Sequence, residues 1–286
     1  MQKTEEKKES NLATNEINPV NGGVNPAKGG VKTNNQSEPI GTSLIEEMFH
    51  AGAHFGYSKT RRHPSFKSVI FGAKKGVDIL NLEKTGSHLM KALEFVTESA
   101  KTGKNFLLVG TKHEARKATE EAARTLAVPY VTKRWIGGTI TNFSEIKKRV
   151  TRLTTLLEQK KEGKLDVYTK KERLLLDREI DRLEMFFRGI VNMERVPDIL
   201  FVIDPRHEKT AINEAIQRSI PVIALANSDC NLADMAYPIP ANDSSMASII
   251  FFMNKFVKAY EEGVRQRAVT PKIEEVKTQE HENKKT

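Results

Sequence analysis

The feature that most limits what this chain can fold into is a series of short apolar runs that do not alternate with polar residues. They are Phe106-Leu-Leu-Val109, Pro129-Tyr-Val131, Ile199-Leu-Phe-Val-Ile203 and Pro221-Val-Ile-Ala-Leu225, with a weaker Tyr237-Pro-Ile239. A strand with one wet face alternates, whereas a run with no polar position is covered on both faces. Helical patterns fill the gaps at about 112–126, 208–218 and 244–262. Buried strands separated by helices predict a parallel, doubly wound α/β sheet. At 286 residues and 38% hydrophobic, the chain has enough apolar surface for one large core or two modest ones.

Ahead of that series, Thr42-Ser43 precedes a short helical pattern carrying Leu44, Ile45, Met48 and Phe49. After a basic loop, Ser68–Phe71 and Val77–Leu80 flank Gly72-Ala-Lys-Lys-Gly76, which predicts a β-hairpin outside the main sheet. Leu89, Leu93 and Val96 place an amphipathic helix over 83–101.

The rhythm breaks between Asn142 and Gly189, where no strand signal occurs. Ile146, Val150, Leu153 and Leu157 step by four, three and four, as do Leu176, Ile180, Leu183 and Phe187. Asn142 and Glu145 suit a helix start, and Thr169 with Glu172 forms a capping-box pattern for a second helix. An inserted antiparallel coiled-coil hairpin over 142–189 is expected. The alternative is an ordinary pair of core-packing helices, against which stand 13 basic and 9 acidic residues in the segment.

Charge narrows the function classes. Forty-six basic against 37 acidic residues give +9. Residues 1–40 hold five Lys and five Glu, no aromatic and nine apolar residues, and residues 269–286 hold four Lys and four Glu. Both segments read as disordered tails, with Pro271 a stop after the last helix. The excess therefore lies within 41–268, as expected for a core that meets a polyanion. No run of 18 apolar residues exists, so a spanning helix is excluded. The single Cys230 excludes an internal disulfide and a four-cysteine zinc site, and fits a reducing compartment.

Two segments are candidate nucleic-acid contacts. Met48–Val77 contains Lys59, Arg61, Arg62, Lys67, Lys74 and Lys75, no acidic residue, and interleaved His and aromatic residues. Cations hold phosphates and planar groups stack on bases, although a merely solvated basic face would look the same. The second is Lys133-Arg134-Trp135-Ile-Gly-Gly-Thr-Ile-Thr-Asn142-Phe143, after a strand, with two glycines permitting close backbone approach. Its alternative is a structural turn feeding the helical hairpin.

Enzyme signatures fail. Val109-Gly110-Thr111-Lys112 offers one glycine where a dinucleotide fingerprint needs three, and neither Gly-Lys pair is followed by Ser or Thr. Ala51 follows His50 where the zinc-protease motif needs Glu before a second His at 54. Asp204, Asp229, Cys230, Asp234 and Asp243 gather near strand ends without a triad pattern and read as caps. No cofactor and no metal is called for. The rival class is a nucleotide-dependent α/β enzyme with a basic surface.

Ala51-Gly-Ala-His54-Phe-Gly56, Ile70-Phe-Gly72, Gly76-Val-Asp-Ile-Leu-Asn-Leu82-Glu-Lys-Thr85 and Arg134-Trp-Ile-Gly-Gly-Thr-Ile-Thr-Asn-Phe143 together resemble the bacterial small-subunit ribosomal protein number two family. Phe106–Lys112, Thr169–Glu172, Pro197–Asp204 and Tyr237–Asp243 extend the resemblance over about residues 42–265. Tyr57 departs from it, standing where that family often has a second His. The resemblance implies a flavodoxin-like α/β domain with a protruding coiled coil, located on the ribosome in the cytoplasm. It further implies binding to 16S rRNA, help in anchoring small-subunit ribosomal protein number one, and no catalysis.

Overall fold

A computed structural model describes the backbone over residues 40–282 and side-chain surroundings over 43–268. The expectation for the first 39 residues lies outside the described residues. Chain order is α1 (Ile40–His50), β1 (Phe55–Ser58), β2 (Ile70–Lys74), β3 (Val77–Leu80), α2 (Leu82–Lys101), β4 (Phe106–Val109), α3 (His113–Leu126) and β5 (Tyr130–Val131). It continues with α4 (Phe143–Lys161), α5 (Lys170–Phe187), β6 (Ile199–Ile203), α6 (Lys209–Gln217), β7 (Val222–Ala226), β8 (Tyr237–Pro240) and α7 (Met246–Glu282).

The apolar runs form one five-stranded sheet, β5-β4-β6-β7-β8, with every pairing parallel. Every residue of β4, β6 and β7 is buried, which is why these runs lack polar alternation. Successive side chains still point to opposite faces. Phe106, Leu108, Phe201 and Ile223 join a core with residues of α2, α3 and α7. Leu107, Val109, Val202 and Ala224 join another with residues of α4, α5 and α6. Pro238 and Pro240 fit β8 because it pairs with β7 alone, and an edge strand tolerates a missing N–H.

The expected hairpin is present and is part of a three-stranded antiparallel sheet, β1-β3-β2. Lys74 pairs with Val77 across Lys75-Gly76, whose φ values of 52° and 80° suit a tight two-residue turn. The third strand, β1, lies where the sequence suggests only a loop. Phe55-Gly-Tyr-Ser58 carries no periodic signal of its own; pairing of Phe55 with Ile79 makes it a strand. Gly56 sits in a tight space there: a Cβ would come 3.1 Å from Asp78 and 3.2 Å from Ser228 Oγ, closer than most Cβ contacts.

The terminal helix departs from expectation. Backbone helix continues through Pro271 to Glu282 rather than stopping before the proline. A proline removes one N–H and crowds the carbonyl four residues back, which bends a helix more readily than it ends one when helix-forming residues such as Lys272, Glu274 and Glu275 follow.

The 142–189 segment folds as two helices. Thr169 and Glu172 close the expected capping box, and Gly163 takes the left-handed φ of 70° in the connection. Ile146, Val150, Leu153, Ile180 and Phe187 are buried; Leu157, Leu176 and Leu183 are half-buried against them. Arg152 pairs with Glu179 at 3.2 Å and Lys160 with Asp177 at 2.7 Å, so partners run in opposite directions along the two helices. This stripe is continuous with the core beneath the sheet. Leu153→Ala is expected to cost about 2–5 kcal/mol. Amide exchange is the check: protection should fall first within 143–187, and an equal fall in β4, β6 and β7 would show one cooperative unit instead.

Candidate nucleic-acid interface

The carboxyl ends of the parallel strands carry a buried charge cluster. Lys112 follows β4, Asp204 follows β6, and Asp243 follows β8. The Lys112 ammonium lies 3.1 Å from Asp204 Oδ2 and 3.3 Å from Asp243 Oδ2, and donates to Tyr57 OH at 3.0 Å and Ser244 Oγ at 3.1 Å. Asn227 Nδ2 donates to Asp243 Oδ1 at 2.9 Å. Burial opposes the Lys112 charge, yet Asp243, Tyr57 and Asp204 outweigh it and hold the ammonium protonated. Burial and the Asp204 charge push the Asp243 carboxyl up to about 6, against the pull of Lys112. Burial likewise pushes the nearby Cys230 thiol up, which leaves it unreactive.

Open α/β sheets usually collect ligands at this edge. Here its charges satisfy one another, and Tyr57 from β1 ties the antiparallel sheet to them. Tyr57 N–H donates to Ser228 Oγ at 2.9 Å, His63 N–H to Ser228 O at 2.8 Å, and Leu232 N–H to Ser65 Oγ at 3.1 Å. Gly110, the lone glycine after the first parallel strand, serves packing: a Cβ would fall 2.3 Å from Thr119 Oγ1 of α3. Asp204 and Asp243 thus do more than cap, and the roles of Lys112 and Tyr57 have no signal in the sequence beyond their positions at element ends.

The antiparallel sheet and its turns display the first basic segment. Lys59, Arg61, Lys67, Lys74 and Lys75 are exposed, and none has an ion-pair partner among the described residues. Arg61 lies over the Tyr57 ring, 5.9 Å from its centre. Arg62 differs from the expectation. It grips Asp78 with Nε donating to Oδ2 at 2.8 Å and Nη2 to Oδ1, and Asp78 is fully buried. Its guanidinium is committed inside the protein, because releasing it would strand a buried carboxylate.

The second segment splits in the same way. Lys133, Arg134 and Asn142 are exposed, whereas Trp135 is only 7% exposed. Its indole N–H donates to Glu214 Oε1 at 2.9 Å, and its burial leaves the ring no face for a base to stack on. Asn142 ends the loop at the N-terminus of α4, its Oδ1 accepting from Ser144 Oγ at 3.3 Å. Glu214 was not a candidate from sequence, although an acid one residue before the buried Ala215 on the apolar stripe of α6 is a legible signal.

A protein family described as Ribosomal protein S2 matches residues 48–263. The chain belongs to that family. It is 40% identical over 220 residues to the small ribosomal subunit protein uS2 of Dictyoglomus turgidum, covering 77% of this chain and 89% of that one. The uS2 proteins of a Nitratiruptor species and Chloroflexus aggregans are 40% and 39% identical over 223 residues each, covering 84% and 94% of their lengths. Membership makes the chain a structural ribosomal protein and not an enzyme. Within the S2 family match, the charge cluster, both basic segments and both helices of the hairpin are included.

The cluster makes stability depend on pH in a defined direction. The Asp243 carboxyl holds its proton up to about pH 6 in the fold, against an ordinary value of 3.8. Its contribution is therefore full below the ordinary value and is lost as pH rises through about 6. Asp243→Asn removes that titration. The melting temperature of the variant, relative to the parent, is expected to rise between about pH 4 and about pH 6 and then level off. A difference that does not change with pH would contradict this. Arg62→Ala is expected to lower the melting temperature clearly, while Arg61→Ala leaves it nearly unchanged.

Proposed function

We propose that the chain is a component of the small ribosomal subunit in the cytoplasm that binds 16S rRNA and supports translation. The single observation that carries this reading is the set of five exposed cations, Lys59, Arg61, Lys67, Lys74 and Lys75, without ion-pair partners among the described residues, on one antiparallel sheet and its turns. Phosphates attract such cations, and the contact positions the protein without reading sequence. Lys133, Arg134 and Asn142 form a second contact. The binding unit is 41–268, interrupted by the 142–189 arm, and the neutral segments 1–40 and 269–286 lie outside it.

The parallel sheet is of the flavodoxin-like type. Numbered along the chain, its strands are ordered 2-1-3-4-5, with helices contributing to cores on both faces. The arm is an antiparallel coiled coil, a reading supported by its four–three apolar steps and cross-helix ion pairs. It helps to anchor small-subunit ribosomal protein number one. Val167, Leu174 and Leu175, at 90%, 51% and 55% exposure around the arm's tip, support a protein partner there.

Binding to small subunits depleted of this protein, followed over a salt series, tests the reading. Each neutralised phosphate contributes about 0.7–0.9 to the slope of log affinity against log salt. Arg61→Ala/Lys74→Ala/Lys75→Ala is expected to lower that slope by roughly 2–3 with the melting temperature unchanged. An unchanged slope would make the segment a solvated face.

A further inference from the structure

One buried carboxylate gathers the Trp135–Thr141 stretch of the loop about itself from a helix far along the chain. Glu214 Oε1 accepts from Trp135 Nε1 at 2.9 Å and from the Gly138 N–H at 2.9 Å. Oε2 accepts from the N–H groups of Ile140 and Thr141 at 3.0 and 3.1 Å and from Thr141 Oγ1 at 3.1 Å. Glu214 is 7% exposed. Four residues later on the same helix end, Arg218 Nη2 donates to the Thr141 carbonyl at 2.6 Å. Both backbone groups of Thr141 are thereby held, its N–H by the acid and its C=O by the base.

Backbone N–H groups converging on one point make a concave anion site, the arrangement proteins use around phosphate. In this loop that site is already filled by a side chain of the protein itself. Gly138, at φ 92°, supplies the left-handed bend that turns its N–H inward. The loop's backbone therefore has no N–H of this set to offer an external phosphate. What it presents outward is Lys133 and Arg134, the two exposed cations before Trp135.

The geometry points to Glu214 as the positioning residue of the second rRNA contact: its carboxylate folds the loop about itself so that Lys133 and Arg134 are displayed together to RNA phosphates. This inference rests on the proposed rRNA contact by that loop. Glu214 touches no RNA and acts through the loop alone. Burial disfavours its charge, but the indole, backbone and hydroxyl donors prevail and keep it ionised.

Glu214→Gln tests the role. An amide retains one acceptor oxygen and turns an NH2 group toward donors that need an acceptor. The assay is binding of the full chain to small subunits depleted of this protein across a salt series, beside Lys133→Ala/Arg134→Ala. Losing two phosphate contacts lowers the slope by roughly 1.4–1.8, which at about 0.1 M salt is roughly a 25- to 60-fold loss of affinity. Both variants are expected to approach that loss, and combining them should lower the slope little further. A merely structural role would lower thermal stability and leave the slope alone. A native slope for Glu214→Gln beside a reduced one for Lys133→Ala/Arg134→Ala overturns the positioning role only. A native slope for Lys133→Ala/Arg134→Ala removes the loop from the interface and the inference with it. Should Glu214→Gln not fold, Trp135→Phe and Thr141→Val each delete one side-chain donor to Glu214. They should lower the slope in the same direction by less, and a native slope in both overturns the inference.

Discussion

The Lys112 ammonium, held between Asp204 and Asp243 and donating to Tyr57, is the interaction on which the arrangement of the interface depends. Three segments at the carboxyl ends of parallel strands meet there with a residue of the antiparallel sheet. A single cation between two carboxylates in a partly buried site fixes geometry, because moving Lys112 would leave two carboxylates facing each other without a counter-charge. The basic sheet is thus seated on the parallel one by an ion cluster as well as by the hydrogen bonds from Tyr57, His63 and Leu232. The edge where α/β proteins commonly hold a ligand is spent on this joint.

Charge is sorted by the fold in one direction. Among the described residues, the buried charged side chains are Asp78, Asp204, Glu208, Glu214 and Asp243, all acidic. Each is held by donors from the protein: Arg62 for Asp78, Lys112 for Asp204 and Asp243, Thr111 for Glu208, and the loop donors for Glu214. Burying acids among the described residues shifts the balance of their exposed charges toward the positive. A polyanion meets those exposed charges, not the sum over the chain. Interior acids such as Asp78 and Glu214 thereby shape the turns and loops of the two basic segments from within.

Much of this was legible in the residues. Runs without polar alternation read directly as doubly buried strands, because burial on both faces removes the need for polar positions at β4, β6 and β7. Thr169 and Glu172 announced a helix start through local hydrogen bonding that no tertiary contact is needed to explain. What stayed hidden was set by partners distant in sequence. Arg61 and Arg62 are neighbours of the same type, and only the pairing of β1 with β3 brings Asp78 to one of them. Trp135, between two cations and two glycines, looks like a stacking residue until α6 supplies Glu214 as partner to its indole N–H. Strand β1 exists through its pairing with β3, which no local pattern encodes.

The most direct measurement is a density map of the small ribosomal subunit carrying this protein, at a resolution that separates side chains. Lys59, Arg61, Lys67, Lys74 and Lys75 should face rRNA phosphates, most of them within hydrogen-bonding reach, while Arg62 stays on Asp78 and Trp135 on Glu214. A map in which that sheet faces solvent, or in which Arg62 has left Asp78 for the RNA, would contradict the assignment of the interface.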